Sequence, residues 1–227
     1  MNGVAGIAAS KSPSPRSRSR RLGATQRRQQ LVSTAQRLFG ERGYRATTME
    51  DIANAAGVTK PLLYQHFTSK RALYLELVHR VSSELLEALG SANRRANGPR
   101  QMVENGFGGY FELIVTHEDS FRLLFGRHAP DDPELFNAVR QVETAVLDVI
   151  ESNMPTELVP EHRRLLAYAV VGMAEGGTRF WVERSRKEAA GAPTDREGAV
   201  ALADDIRLLT ERISTIAWAG LRGVHPD

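Results

Sequence analysis

Two short helix signals meeting at a tight turn constrain this chain more than any other feature. They lie in TTMEDIANAAGVTKPLLYQHFTSK, residues 47–70. Thr47 or Thr48 opens the first helix, with Glu50 and Asp51 in its first turn, where carboxylates meet the positive end of the helix dipole. Gly57-Val58 ends it, because glycine takes the φ > 0 conformation that so tight a turn demands. Thr59 opens the next helix, and Pro61 sits in its first turn, where a missing N–H is tolerated. Ile52, Ala53, Ala56, Val58 and Leu63 are apolar or small where the two helices must cross and pack. This is the pattern of a helix-turn-helix, whose second helix would enter a DNA major groove by its N-terminal end.

The chain around this segment is helical in its spacing. Leu31, Ala35, Leu38 and Phe39 lie on one face of a helix at about 25–42, and Gly43 follows as a stop signal. Ser69 caps a long helix to about 95, with Leu73, Leu77, Val81, Leu85 and Ala88 on one stripe. Further helices are predicted at about 100–117, 119–128, 132–152, 161–187 and 198–221. Proline- or glycine-bearing breaks separate them. No strand pattern and no internal repeat is present. The predicted fold is all-α: a three-helix head over 25–70, then a six-helix body over 71–227, preceded by a basic arm over 1–24.

Charge divides the chain in the same place. Residues 1–80 carry 14 basic against 4 acidic residues, and residues 81–227 carry 16 against 23. A basic third joined to an acidic remainder suits a head that meets a polyanion and a body that does not. SKSPSPRSRSRR, residues 10–21, cannot build a core and is expected to be a disordered arm adding phosphate or minor-groove contacts. The positive charges follow the small apolar residues of 1–9, the reverse of a secretory signal. An Arg- and Ser-rich, acid-free start also has the character of an organelle transit peptide, but nothing else in the chain supports that. There is no cysteine, which excludes disulfides and thiolate chemistry. No stretch is apolar for the roughly 18 residues that a membrane helix needs. The expected location is the cytoplasm, with the nucleoid.

The stretch GVTKPLLYQHFTSKRALY resembles the signature of the TetR family of regulators, across its recognition helix and the start of the fourth helix. AQRLFGERGYRATTMEDIANAAGV resembles that family's first two helices. The likeness is dense over roughly residues 28–80 and architectural beyond. It implies a homodimeric DNA-binding regulator, in which Thr47 and Thr48 meet phosphate, and Thr59, Lys60, Leu62 and Gln65 reach base edges or phosphate. Tyr64 and His66 match the family's backbone-contacting pair, and Lys70 a further phosphate contact. Arg27 and Arg28 complete the expected set. Pro61 departs from the small residue usual there, so no operator sequence follows.

The body is expected to dimerise and to sense a ligand. Leu202, Ile206, Leu209, Ile213 and Ile216 follow the 4-3-4-3 spacing of a helical seam, with Tyr168 on the neighbouring helix. The resemblance implies that the last two helices form a four-helix dimer bundle, and a dimer fits a palindromic operator. Gly106, Gly108 and Gly109, then Gly172, Gly176 and Gly177, interrupt two helices at a cost of about 0.8–1 kcal/mol each. Flanked by aromatics, they suggest a slot for an apolar effector. The expected lining is Phe107, Gly109, Tyr110, Phe111, Ile114, Phe121, Phe125, Val146, Ile150, Met173, Gly176 and Phe180. Glu175 and Arg179 are spaced to pair along a helix.

Two body tracts, YFELIVTHEDSFRLLF and AYAVVGMAEGGTRFWV, faintly resemble actinobacterial TetR-type regulators of fatty-acid synthesis, which implies a long-chain acyl-CoA effector. A sensor of hydrophobic drugs controlling efflux and an effector-free architectural DNA-binding protein are the other readings. An enzyme is not expected: the six histidines are scattered, and no HExxH, GxSxG or glycine-rich phosphate loop is present. His117, Glu118 and Asp119 are adjacent on a helix end and share no face, so no metal site or cofactor is expected.

Overall fold

The computed structural model describes residues 23–117, 132–189 and 196–224, with the side chains of 185–203 left aside. The expected arm, the expected helix at 119–128 and the candidates Phe121, Phe125 and Leu202 fall outside what is described. Eight helices are present among the described residues, with no strand. They are α1 (Ala24–Ala46), α2 (Met49–Ala55), α3 (Lys60–His66), α4 (Lys70–Arg94), α5 (Pro99–Thr116), α6 (Pro133–Ser152), α7 (Pro160–Ala189) and α8 (Arg196–Leu221).

Local chemistry sets the boundaries of the head. Gly43 stands at φ 80° and breaks α1 before its last turn, a conformation that side chains with a Cβ resist. The Thr48 hydroxyl accepts from the Asp51 N–H, while the Asp51 carboxylate accepts from the Thr48 N–H at 2.8 Å, a reciprocal cap of α2. These bonds hold the Asp51 carboxyl below its usual range. Gly57, at φ 65°, turns the chain, and the Val58 N–H returns to the Ala53 carbonyl at 2.9 Å.

Leu31, Leu38, Ile52, Leu63, Leu73 and Leu77 are fully buried where α1 to α4 converge. Phe39, Tyr44 and Tyr74 add a cluster of rings with centroids 5.0–5.8 Å apart. The core continues without interruption along α4, through Val81, Leu85 and Leu89, into the body, where Phe107, Phe111, Leu135, Val142 and Ala174 join it.

The six glycines of the expected slot divide by what they face. A Cβ on Gly109 would meet the Ala88 carbonyl at 3.6 Å, and one on Gly108 would meet Thr210 at 3.6 Å. A Cβ on Gly177 would stand 3.0 Å from the Phe111 ring. Gly109 thus lies against the backbone of α4, while Gly108 and Gly177 make room for side chains of neighbouring helices. Gly172 and Gly176 look onto open space instead.

Two carbonyls near the end of α1 are held by one ammonium. Lys70 Nζ donates to Tyr44 O and Thr47 O, each at 2.9 Å, and lies 4.2 Å from the Tyr44 ring centroid. Burial moves its pKa below the ordinary lysine value. Lys70→Met should therefore destabilise the chain by about 1–3 kcal/mol, the cost of leaving such acceptors without a donor. Urea unfolding of Lys70→Met beside Lys60→Met checks this, because the exposed Lys60 should change stability by less than about 0.5 kcal/mol.

Candidate DNA-binding face and effector cavity

Helix α3 is seven residues long and buries one of them, Leu63. Its other face is uncommitted. Thr59, Lys60, Pro61, Tyr64 and Gln65 are exposed, and Leu62 and His66 are half-buried. Thr59 stands at the N-cap position without making a side-chain cap, so its hydroxyl is not used by the helix. Lys60 has one loose partner, Glu50 at 3.6 Å, with both groups in solvent. These are hydrogen-bonding, cationic and aromatic groups on one short, rigid, outward-facing surface.

Four other residues expected at this face have work inside the head. Thr47 is fully buried, and its hydroxyl donates to the Gly43 carbonyl at 2.9 Å. Lys70 is the strut described above. The Arg28 guanidinium forms a two-pronged ion pair with Glu76 on α4 and lies 4.6 Å from the Phe67 ring centroid. That pairing raises the pKa of Arg28 and lowers that of Glu76. Arg27 donates to Gln30 at 2.6 Å, and Gln30 in turn donates to the Ala56 carbonyl at 3.0 Å. Charge counting could not find these uses, since a lysine that faces a phosphate and a lysine that ties two loops together look the same in sequence.

The body encloses a cavity of about 450 Å³, within the range of small-molecule sites. Most of its wall is aliphatic or aromatic. Leu85 and Leu89 come from α4, Met102, Val103 and Phe107 from α5, Val146, Val149 and Ile150 from α6, and Leu166, Val170 and Val171 from α7. Along α5 the lining runs from Pro99 to Tyr110, about 16 Å at the helical rise. The cavity is therefore elongated, and its two ends differ. The ends of α4, α6 and α8 come together beside the start of α5, so the lining residues Asn93, Asn153 and Arg222 stand at the end near Pro99. Tyr110, Glu143 and Glu175 stand at the other. The Tyr110 hydroxyl lies 3.5 Å from Thr178 Oγ1, and burial pushes its pKa above the ordinary tyrosine range. Burial likewise raises the pKa of the Glu175 carboxyl, with Arg179 opposing and Glu143 adding to the shift. Glu175 and Arg179 form no ion pair, and Arg179 points to solvent.

Of the expected lining, the structure places Phe107, Tyr110, Val146 and Ile150 on the cavity wall. Gly106 lines it too, and is the one glycine of the two clusters that does. Gly109, Phe111 and Ile114 are spent on packing, Met173 is half-buried against the core, and Gly176 and Phe180 face outward. Sequence reasoning missed the lining from Pro155, Leu158, Trp218 and Leu221, which reach the cavity from the α6–α7 connection and the end of α8. No periodicity within one helix could have shown that these segments converge.

The seam on α8 also divides. Ile206, Leu209 and Ile213 pack against the chain's own core, whereas Ile216 is turned out. With Leu165, Tyr168 and Phe180 of α7 it leaves large apolar side chains 65%, 45%, 60% and 62% exposed for Leu165, Tyr168, Phe180 and Ile216 respectively. Gly172 and Gly176 lie between them along α7 and present bare backbone.

No helix among the described residues is long and apolar enough to cross a membrane, and no group of three acidic or histidine side chains among them could hold a metal ion.

Residues 31–77 match the family of bacterial regulatory proteins described as the tetR family. The helix-turn-helix-type transcriptional activator FasR of Mycolicibacterium smegmatis is 30% identical over 209 residues, covering 91% of this chain and 88% of that protein. The transcriptional repressor KstR2 of Rhodococcus jostii is 44% identical over 98 residues, 43% of this chain and 38% of that protein. In fold, the chain is similar to the Bacillus subtilis regulator FadR solved with stearoyl-CoA. The TM-score is 0.65 at 16% identity, over 87% of this chain and 99% of that one.

Gly106→Leu should place a side chain in the cavity and weaken binding of an apolar fluorescent probe by about tenfold or more, while Gly176→Leu should leave it unchanged. Probe titration of both variants checks the assignment; equal effects would place the cavity elsewhere.

Proposed function

The chain belongs to the TetR family of bacterial regulatory proteins, and from that premise we propose a homodimeric transcriptional regulator whose grip on a palindromic operator is set by an apolar effector in the body cavity. That it is a DNA-binding regulator follows from the family. The proposal concerns its effector, its dimer face and the residues that touch DNA.

One observation carries the effector reading. Helix α4 is uninterrupted for 25 residues, about 37 Å, and serves both parts of the chain. Its first turn holds the head through Lys70 and Leu73, and its later turns wall the cavity through Leu85 and Leu89. A second link runs parallel. Arg71, next to Lys70, pairs with Asp132 at 3.4 Å and with Glu134 at the start of α6, and α6 supplies Val146, Val149 and Ile150 to the cavity. A ligand that binds one arrangement of α4 and α6 better than another thereby selects the position of α3. Each 1.4 kcal/mol of that preference changes operator occupancy about tenfold.

The effector class follows from the wall. An elongated apolar cavity suits an acyl chain, and a solved relative of the same fold holds stearoyl-CoA. Long-chain acyl-CoA is the first ligand to test. On the DNA side, Thr59, Lys60, Tyr64 and Gln65 are the proposed contacts, with Thr48, Pro61, Leu62 and His66 beside them. The dimer face is the exposed stripe of Leu165, Tyr168, Phe180 and Ile216, where Gly172 and Gly176 let a partner helix come close. Ile206, Leu209 and Ile213, half-buried against the chain's own core, are left out of it.

Operator selection from a random duplex pool, followed by mobility-shift titration with stearoyl-CoA, tests the function. A selected palindrome whose occupancy changes with stearoyl-CoA is expected; no selection from the pool would overturn the reading. Lys60→Ala with Tyr64→Ala should lower affinity at least tenfold, with a shallower salt dependence and an unchanged melting temperature. Phe180→Glu with Ile216→Glu should shift the mass in solution from dimer to monomer and abolish binding to the full palindrome. Light scattering reads the first outcome, and a persistent dimer would exclude this face.

A further inference from the structure

The two ends of the cavity are chemically unlike, and this bears on the ligand beyond its being apolar. The end near Pro99 has Asn93, Asn153 and Arg222. The opposite end has Glu143 from α6 and Glu175 from α7, which reach the same space from two helices, and the Tyr110 hydroxyl. Tyr110 is 8% exposed, so its polar atom is committed to the interior. Among the described residues neither glutamate makes an ion pair or a side-chain hydrogen bond; Arg179, one turn beyond Glu175, points to solvent. Carboxyl groups set into an apolar wall carry a desolvation cost that a hydrogen-bond donor relieves. A plain alkyl end, such as that of a stearoyl chain, binds through the apolar wall but leaves that cost in place.

Resting on the cavity being the effector site, we propose that Glu143, Glu175 and Tyr110 form an accepting cap. The effector is then an elongated apolar molecule bearing a hydrogen-bond donor, a hydroxyl or an ammonium, at its buried end, with an acidic group toward Arg222. The site discriminates because the wrong ligand leaves buried polar groups unpaired, which is a stronger filter than one methylene more or less. The acidic group stays at the mouth for the same reason: next to two carboxylates it would be repelled, whereas Arg222 attracts it.

Calorimetric titration of the full-length protein with dodecanoate, 12-hydroxydodecanoate and 12-aminododecanoate tests the cap. The wild type should bind the hydroxy acid or the amino acid about tenfold more tightly than dodecanoate. Glu143→Leu with Glu175→Leu should reverse that order. Glu175→Gln separates the two donors: its amide carbonyl still accepts from a hydroxyl, so only a preference for the ammonium should be lost. If the double variant fails to fold, Glu175→Ala decides through the same reversal. Dodecanoate binding as tightly as both analogues overturns the cap and leaves the apolar cavity reading intact. No binding of any of the three, with Gly106→Leu indistinguishable from wild type in the probe titration, overturns both.

Discussion

The continuous burial of α4 is the constraint on which the rest of this structure depends. Leu73, Tyr74, Leu77 and Val78 are buried within the head, and Val81, Leu85, Leu89 and Ala92 are buried within the body. One helix is therefore a core element of both. Interiors packed at crystal-like density do not stretch, so a change in the body shifts the helix as a unit. The cavity lies against its C-terminal half, and its first turn is fastened to the end of α1 in the head. The head and the cavity wall are joined by packing without any dedicated linker.

Ionic contacts set the angle at which the head leaves that helix. Arg28 to Glu76 ties α1 to α4, Lys70 ties the end of α1 to α4, and Arg71 ties α4 to the start of α6. All three have one partner on α4, within its first two turns. None is deeply buried, so each contributes modestly. The basic excess of the N-terminal third thus has two uses. Some cations build the head, and others, Lys60 among them, remain at its surface.

The body shows how the same residue types divide their roles once helices meet. Of the six glycines in the two clusters, Gly109 lies against the backbone of α4, Gly108 and Gly177 make room for neighbouring side chains, Gly106 opens onto the cavity, and Gly172 and Gly176 lie on the outer stripe. Of four seam residues on α8 with described side chains, three face the chain's own core and Ile216 faces out. A sequence pattern fixes which side chains share a helix face. It does not say whether that face meets the chain itself, a ligand or a second copy, because all three present the same apolar chemistry.

The sequence by itself determined the helical fold and the N-terminal helix-turn-helix. These rest on local physics: the Thr48–Asp51 cap, the φ > 0 turn at Gly57, the proline in the first turn of α3 and the 3.6-residue spacing of α4. Four cavity-lining side chains were also among the residues expected there: Phe107 and Tyr110 as aromatics beside a glycine cluster, Val146 and Ile150 as apolar residues of α6. Only the tertiary structure decided which lysine and arginine side chains are structural, which glycines touch the cavity, and that Glu143 and Glu175 meet there from separate helices. These are facts about residues far apart in the chain. Helical periodicity says nothing about the rotation of one helix against another, and that rotation places every side chain in the site.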